Sequence, residues 1–243
     1  MPVQEVTIRR PYRRYSVTNV FIAACCLVFV VTVFQSGNIV SPLEGRSTLG
    51  SGAENLGLKM IFNAANVTLY GEWWRILTAA LVHLSPVHLG FNMLLIFLIG
   101  REVERSYGAV VMLSLIVASA AGGALACMYF QPEVPVGGAS TVGYGLFAML
   151  ISLSRVEQRD LRGPITLLLV NLGYSFMLTN VSVWGHIGGL AGGTIIALAT
   201  SATGADSNGG ERASTKRKTI AATAATVILA FTIWTGLGWH YSS

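Results

Sequence analysis

The stretch VWGHIGGLAGG, residues 183–193, places a histidine among glycines near the start of an apolar segment, and VGGAST, residues 136–141, places a serine near the start of another. A serine hydroxyl is a weak nucleophile unless a base accepts its proton. A histidine within a membrane segment is energetically costly and indicates a functional role. Ser140 and His186 are therefore candidates for a nucleophile and its base, provided that both lie at the same depth in a membrane.

The composition is typical of a membrane protein. Hydrophobic residues make up 53% and charged residues 11% of the 243 residues, whereas about a quarter of the residues of a soluble domain are charged. The mean hydropathy is +0.60. The net charge is +5, but the basic residues cluster beside apolar segments, which argues against nucleic acid as a partner.

Seven apolar segments predict an all-α polytopic membrane protein. A helix crosses a bilayer with about 20 residues, so some of the segments are short for a full span, notably the one at 138–154. The first segment follows four arginines, as in a signal peptide, but no small-x-small cleavage site follows it, so we expect an uncleaved first span. The segments lie at about 20–34, 86–103, 109–130, 138–154, 164–181, 183–203 and 219–239.

The basic residues predict the orientation of these spans. With a cytoplasmic N-terminus, only Arg46, Lys59 and Arg75 of the 16 Lys and Arg residues lie outside, and the other 13 lie in the cytoplasm. Cytoplasmic loops of membrane proteins are enriched in Lys and Arg. The distribution therefore favours seven spans. We expect an integral, multi-pass protein of a bacterial plasma membrane.

This topology divides the chain into four parts. Residues 1–19 form a cytoplasmic N-terminal segment, and residues 20–203 form a six-span core with an outer loop at 35–75. Residues 204–218 form a cytoplasmic linker, which is rich in Gly, Ser and Ala. Residues 219–243 form a seventh span and an outer C-terminus.

Spans two, four and six all enter the membrane from outside, so four polar side chains near their starts share its outer half: His88, Asn92, Ser140 and His186. His186 can act as general base to Ser140 and later protonate a leaving amine. His88 and Asn92 share a helix face, and their N–H groups, with a backbone N–H near Ser140, can stabilise an oxyanion. Spans four and six contain no acidic residue, so a Ser–His dyad is a simpler interpretation than a triad.

Small residues at four-residue spacing point to close helix packing. Gly185, Gly189 and Gly193 follow this spacing on span six, and Ala139 and Gly143 follow it on span four. Small residues let helices approach closely in lipid, as a Ser–His hydrogen bond between two helices requires. Each feature alone has a structural interpretation, since such glycines occur in many bundles and membrane serines usually form internal hydrogen bonds. Their joint occurrence at one depth favours catalysis.

An ordered set of motifs over about half of the chain resembles the rhomboid family of intramembrane serine proteases. The motifs are, in chain order, Trp74-Arg75 in the first loop, His83-x4-His88-x3-Asn92, Glu104 with Gly108, Gly138-Ala139-Ser140-Thr141 followed by Tyr144, and His186-x2-Gly189-x3-Gly193.

The resemblance implies a role for each site residue. Ser140 is the nucleophile and His186 the general base. His88 and Asn92 join the backbone amide of Ser140 in an oxyanion hole. Tyr144 packs on the ring of His186.

The resemblance also implies a rhomboid-like helix bundle, with a six-span core plus a C-terminal seventh span and a partly embedded hairpin at 35–75. Gly138 and Gly189 support the site. Two residues depart from the family pattern. Thr141 replaces the most common glycine after the nucleophile and can crowd the turn, and Ser106 stands where an arginine is often found.

The implied reaction is hydrolysis of peptide bonds in or near transmembrane segments of membrane proteins, which makes such proteins and the lipid bilayer the expected partners. No cofactor and no metal are expected. A zinc protease needs His-Glu-x-x-His, which the sequence lacks. An aspartyl protease would need two aspartates within the membrane, but Asp160 and Asp206 lie in predicted loops.

The alternative is a non-catalytic rhomboid-like protein that binds membrane helices, although such relatives usually lack the serine or the histidine. A transporter or channel is disfavoured, because the sequence shows no internal repeats.

Overall fold

The computed structural model describes residues 16–44, 55–177, 181–201 and 210–238. The regular elements in these parts of the chain are helices. A 3₁₀ turn at Ala79–Leu81 follows α4, and a π turn at Ile96–Gly100 joins α5 to α6. The α-helices are α1 (Val17–Ser36), α2 (Leu56–Met60), α3 (Ala64–Tyr70), α4 (Arg75–Thr78), α5 (Pro86–Leu95), α6 (Arg101–Tyr107), α7 (Ala109–Phe130), α8 (Ser140–Val156), α9 (Arg162–Met177), α10 (Val183–Ser201) and α11 (Gly210–Gly238).

A described helix lies in each of the seven predicted spans. α8, with 17 residues, is apolar but shorter than the rest, and α9 has 16 residues. The prediction of an all-α, multi-pass membrane bundle is confirmed. Among the described residues, five helical segments are long and apolar enough to cross a membrane: Val17–Ser36, Pro86–Tyr107, Ala109–Phe130, Val183–Ser201 and Thr215–Gly236 within α11.

The predicted linker at 204–218 differs from the structure in its second half, because α11 already begins at Gly210. The segment after Gly210 contains Glu, Arg, Ala and Lys, which are strong helix formers and outweigh the Gly and Ser content of the linker as a whole. Residues 202–209 lie outside the described residues. So do residues 1–15 and 239–243, which carry most of the predicted N-terminal segment and the outer C-terminus.

Helix α7 lies at the centre of the bundle and packs against α8, α10 and α11. Glycines bring α10 into backbone contact with α8. A Cβ atom added at Gly189 would lie 2.3 Å from the carbonyl oxygen of Thr141, and one at Gly193 would lie 2.3 Å from the Cα of Gly145. No side chain fits at such distances, so glycine at both positions permits the close approach of α10 to α8 that the sequence predicts.

The predicted contact residues on α8 are wrong. Thr141 and Gly145 face α10, whereas a Cβ at Gly143 would point at Leu95. The reason is the phase of the helix. α8 begins at Ser140 with Ala139 as its cap, so the four-residue row that meets α10 starts at Thr141.

A carboxylate from α6 anchors the start of α1. Buried Glu104 accepts hydrogen bonds from the backbone N–H groups of Val17 at 2.8 Å and Thr18 at 2.9 Å, and from the Thr18 hydroxyl. An anion at a helix N-terminus satisfies unpaired N–H groups and interacts favourably with the helix dipole. Ser106, the departure from the family pattern, is exposed and does not disturb this anchor.

Buried Arg75 organises the described part of the predicted outer loop. Its guanidinium donates to the carbonyl oxygens of Leu58 at 2.6 Å and Ile61 at 2.9 Å, and it forms an ion pair with Glu72. These bonds fix the position of the segment between α2 and α3. Phe62, which follows Ile61 in this segment, exchanges two backbone hydrogen bonds with Val136, of 3.0 and 2.9 Å. The loop is thereby tied to the chain that leads into Ser140.

Candidate active site

Ser140 and His186 meet at the interface of α8 and α10. The Nε2 atom of His186 lies 2.9 Å from the Oγ atom of Ser140. His186 is buried, and Ser140 is partly exposed. Ser140 is the first residue of α8, and His186 lies in the first turn of α10. The shared depth that the topology predicts corresponds here to direct contact between the two side chains.

Ser182 determines where α10 begins and therefore where His186 lies. Its Oγ accepts a hydrogen bond from the backbone N–H of Gly185 at 3.0 Å and donates to Oε1 of Gln131 at 2.7 Å. A serine in this position satisfies one of the unpaired N–H groups at a helix start. The bond to Gln131 also joins this start to the end of α7.

Gly138 leaves open space between His88 and Ser140. Its φ angle is +145°, which favours glycine, and its N–H donates to the carbonyl of Ala79 at 3.0 Å. A Cβ atom at this position would lie 2.8 Å from Cε1 of His88 and 3.4 Å from Oγ of Ser140. Any other residue would therefore be strained and would fill the space in front of the serine.

The structure brings His88 to this space and bonds the Asn92 amide to a carbonyl of its own helix. The backbone N–H of Leu84 donates to Nδ1 of His88 at 3.5 Å, so the proton of the neutral ring is on Nε2. The side-chain amide of Asn92 donates to the carbonyl of His88 at 2.8 Å. This bond uses one of the two N–H groups of the amide.

His83, the other histidine of the motif, supports His88. It is 1% exposed, its Nδ1 lies 3.2 Å from the carbonyl of Leu81, and its ring centroid lies 5.2 Å from that of His88. Burial, together with the proximity of His88, lowers the pKa of His83 to about 3. His83 is thus a neutral ring at physiological pH, packed behind the ring of His88.

Two further side chains hold the ring of His186. The Tyr144 ring stacks on it, with centroids 4.2 Å apart and planes 20° apart, as the resemblance implies. Ser175, on α9, places its Oγ 2.8 Å from Nδ1 of His186 and 3.0 Å from the hydroxyl of Tyr144. The sequence reasoning missed Ser175. A signal was present, because Asn171 and Ser175 are two polar residues four apart on the predicted fifth span.

Thr141, the other departure from the family pattern, is accommodated by α7. Thr141 is 9% exposed. A Cβ atom added at Gly123 would lie 2.7 Å from the Thr141 methyl carbon, so the methyl group occupies the space that glycine leaves. The crowding that we expected from Thr141 is thus avoided, because Gly123 on α7 leaves room for its methyl group.

Comparison with known proteins agrees with the geometry. The family model described as "Rhomboid domain" matches residues 70–203. The chain is 33% identical over 158 residues to the rhomboid protease GluP of Bacillus subtilis, covering 62% of this chain and 31% of GluP. It is 34% identical over 132 residues to the rhomboid protease GlpG of Haemophilus influenzae, covering 51% of this chain and 68% of GlpG. It is 32% identical over 108 residues to the rhomboid protease AarA of Providencia stuartii, covering 43% of this chain and 35% of AarA.

The chain thus spans about a third of the length of GluP and AarA and about two thirds of GlpG. The family match covers more than half of the 243 residues and includes every residue of the Ser140–His186 site. This chain belongs to the rhomboid family of membrane proteins.

Proposed function

We propose that the chain is an intramembrane serine endopeptidase that hydrolyses peptide bonds in or near the transmembrane segments of membrane proteins. The observation that carries the proposal is the 2.9 Å contact between Nε2 of His186 and Oγ of Ser140. A base at hydrogen-bond distance from a serine hydroxyl is the arrangement that activates this nucleophile. The names of the three relatives, each a rhomboid protease, support the proposal.

In the proposed acylation, Oγ of Ser140 attacks the carbonyl carbon of the scissile peptide while its proton passes to Nε2 of His186. An Oγ–C bond forms, and the carbonyl electron pair moves to oxygen. When this oxyanion collapses, the C–N bond breaks and the proton on Nε2 passes to the leaving amine. Water then attacks the ester and gives its proton to His186. The second collapse releases the carboxyl product and returns the proton to Ser140.

The oxyanion would form in the space that Gly138 leaves open. The backbone N–H of Ser140 is available, because the first N–H groups of a helix have no partner within it, and the positive end of the α8 dipole lies there. The Nε2–H of His88 faces the same space, and the second amide N–H of Asn92 would join it. Donors placed in this way stabilise the charge that develops in the transition state.

A helical substrate must also unwind locally, because its peptide groups are otherwise bonded within the helix. Partly exposed Ser140, at the end of α8 and not at its middle, is accessible to such an unwound segment and to water.

The topology belongs to the proposal. The N-terminus and the loops at 155–163 and 204–218 are cytoplasmic, and the loop at 35–75 and the C-terminus face outside, in a bacterial plasma membrane. The 13-to-3 distribution of Lys and Arg supports this orientation. The active site would then open towards the outer face.

The test is cleavage of a model transmembrane substrate by the full chain in proteoliposomes. Ser140→Ala and His186→Ala should each abolish cleavage. The matched control is Ser154→Ala, which removes a buried serine from the opposite end of the same helix and should leave cleavage unchanged. Cleavage that persists in Ser140→Ala would contradict the proposal. Binding of the substrate without cleavage by the unsubstituted chain would favour the alternative, a membrane-helix binding protein.

A further inference from the structure

We propose that Ser175 is a positioning residue that selects the tautomer of His186 needed for catalysis. The proposal rests on the protease function proposed above and extends the Ser140–His186 pair by a third polar member from a third helix. The observation is that Oγ of Ser175 lies 2.8 Å from Nδ1 of His186, on the side of the ring opposite Ser140.

The protons around Ser175 can be assigned from its neighbours. Its Oγ lies 2.9 Å from the carbonyl oxygen of Asn171, one helical turn earlier. A carbonyl only accepts, so the hydroxyl proton of Ser175 points to Asn171. The two remaining lone pairs of Oγ then accept from Nδ1–H of His186 and from the hydroxyl of Tyr144, 3.0 Å away. Ser175 is 4% exposed, and this assignment satisfies it completely.

The assignment determines which nitrogen of His186 is free. A neutral histidine carries one proton, and the acceptor at Ser175 places it on Nδ1. Nε2 is then unprotonated and faces the Ser140 hydroxyl at 2.9 Å, which is the state of a general base. In the opposite tautomer Nδ1 would need a donor, and Ser175 could provide one only by giving up its bond to Asn171.

A hydroxyl is suited to this position. Carboxylates orient the histidine in many serine proteases, but spans four and six of this chain contain none. A buried carboxylate would carry a large desolvation cost. Ser175 gives the same orientation without a buried charge, while the stacked face of Tyr144 supports the imidazolium when His186 takes a proton.

The contacts of Ser175 also join three helices. Ser175 is on α9, Tyr144 on α8 and His186 on α10, so one hydroxyl sets the position of the ring relative to two neighbouring helices. Loss of this hydroxyl frees the ring to rotate and to exchange its proton between the two nitrogens.

The first test is kinetic, with the full chain in proteoliposomes. Ser175→Ala should lower kcat by about tenfold, the order expected for one neutral hydrogen bond, with little change in KM. Ser175→Thr keeps a hydroxyl and should restore most of the activity. The control is Ser114→Ala, because Ser114 is a 5% exposed helical serine with the same bond to a carbonyl one turn earlier, that of Val110 at 2.8 Å. It should keep the kcat of the unsubstituted chain.

The second test reads the tautomer directly and needs no activity. The chain has four histidines, so ¹⁵N-histidine NMR in detergent micelles can resolve His186, assigned with His186→Ala. We expect a protonated Nδ1 and an unprotonated Nε2 in the unsubstituted chain, and a mixture of tautomers in Ser175→Ala. An unchanged tautomer in Ser175→Ala, or an equal loss of kcat in Ser114→Ala, would overturn the proposal. If Ser140→Ala cleaves normally, the protease function fails, yet the NMR result still decides the role of Ser175.

Discussion

Gly189→Ala should separate α10 from α8 and disable the site without unfolding the bundle. The added Cβ would lie 2.3 Å from the carbonyl oxygen of Thr141 and 2.9 Å from its Cα. These are backbone atoms, so neither can rotate away. Ordinary contact begins at 3.4 Å, and the helices must therefore move apart by about 1.1 Å. The 2.9 Å contact of Ser140 with His186 would lengthen to about 4 Å.

A displacement of about 1 Å costs about 100-fold in rate, and overpacking costs about 1–3 kcal/mol of stability. We therefore expect kcat to fall by about 100-fold and the Tm in detergent to fall by several degrees. The assays are cleavage of a transmembrane substrate and thermal unfolding of the same preparation. The control is Gly173→Ala, an exposed helical position with no atom within 4 Å of the added Cβ. Wild-type kcat and Tm in Gly189→Ala would refute the packing argument.

Three further outcomes are expected. Asn92→Ala should lower kcat more than it raises KM. The loss in kcat should be smaller than the 100- to 1000-fold usual for a sole oxyanion donor, because His88 would share the proposed role. A change in KM alone would show a substrate-binding or packing role. Glu104→Gln should lower the unfolding free energy by about 1–3 kcal/mol, because the side chain that bonds the start of α1 loses its charge. The control, exposed Glu133→Gln, should leave the unfolding free energy unchanged. Equal stability of the two variants would contradict the role of Glu104 as an anchor. In intact cells, a membrane-impermeant maleimide should label Val40→Cys and not Gln158→Cys, and labelling of both would contradict the topology. The labelling background lacks Cys25, Cys26 and Cys127.

The pairing of Ser140 with His186 could be predicted because it depends on coarse features. The order of apolar segments and the placement of basic residues predict which spans run in the same direction, and position within the span then predicts depth. Neither step requires knowledge of how a helix is rotated about its own axis. The same reasoning predicted that glycines on α10 would permit close packing, which Gly189 and Gly193 do.

Features that depend on helix phase and rotamers could not be predicted. The α8 residues that face α10 depend on the exact start of the helix at Ser140. They are Thr141 and Gly145, and not the predicted Ala139 and Gly143. The spacing of Ser175 from Asn171 marks a polar face on the fifth span but not its partner, because most membrane serines simply bond to a carbonyl of their own helix. Its second partner, His186, depends on how α9 packs against α10.

The amide of Asn92 illustrates the same limit at the level of one torsion. Its helix face follows from sequence spacing, but its bond to the carbonyl of His88 depends on the rotamer. Likewise, the fit of Thr141 depends on Gly123, which is distant in sequence and adjacent only in the packed bundle.

The proposed mechanism requires His186 to activate Ser140 as a nucleophile. The most direct measurement is covalent labelling of the full chain in detergent with a fluorophosphonate, followed by peptide mass spectrometry. We expect a single phosphonylated serine, Ser140, in the unsubstituted chain and in Ser154→Ala, and no labelling in His186→Ala. Labelling at another serine, or equal labelling of Ser140 in His186→Ala, would contradict this mechanism.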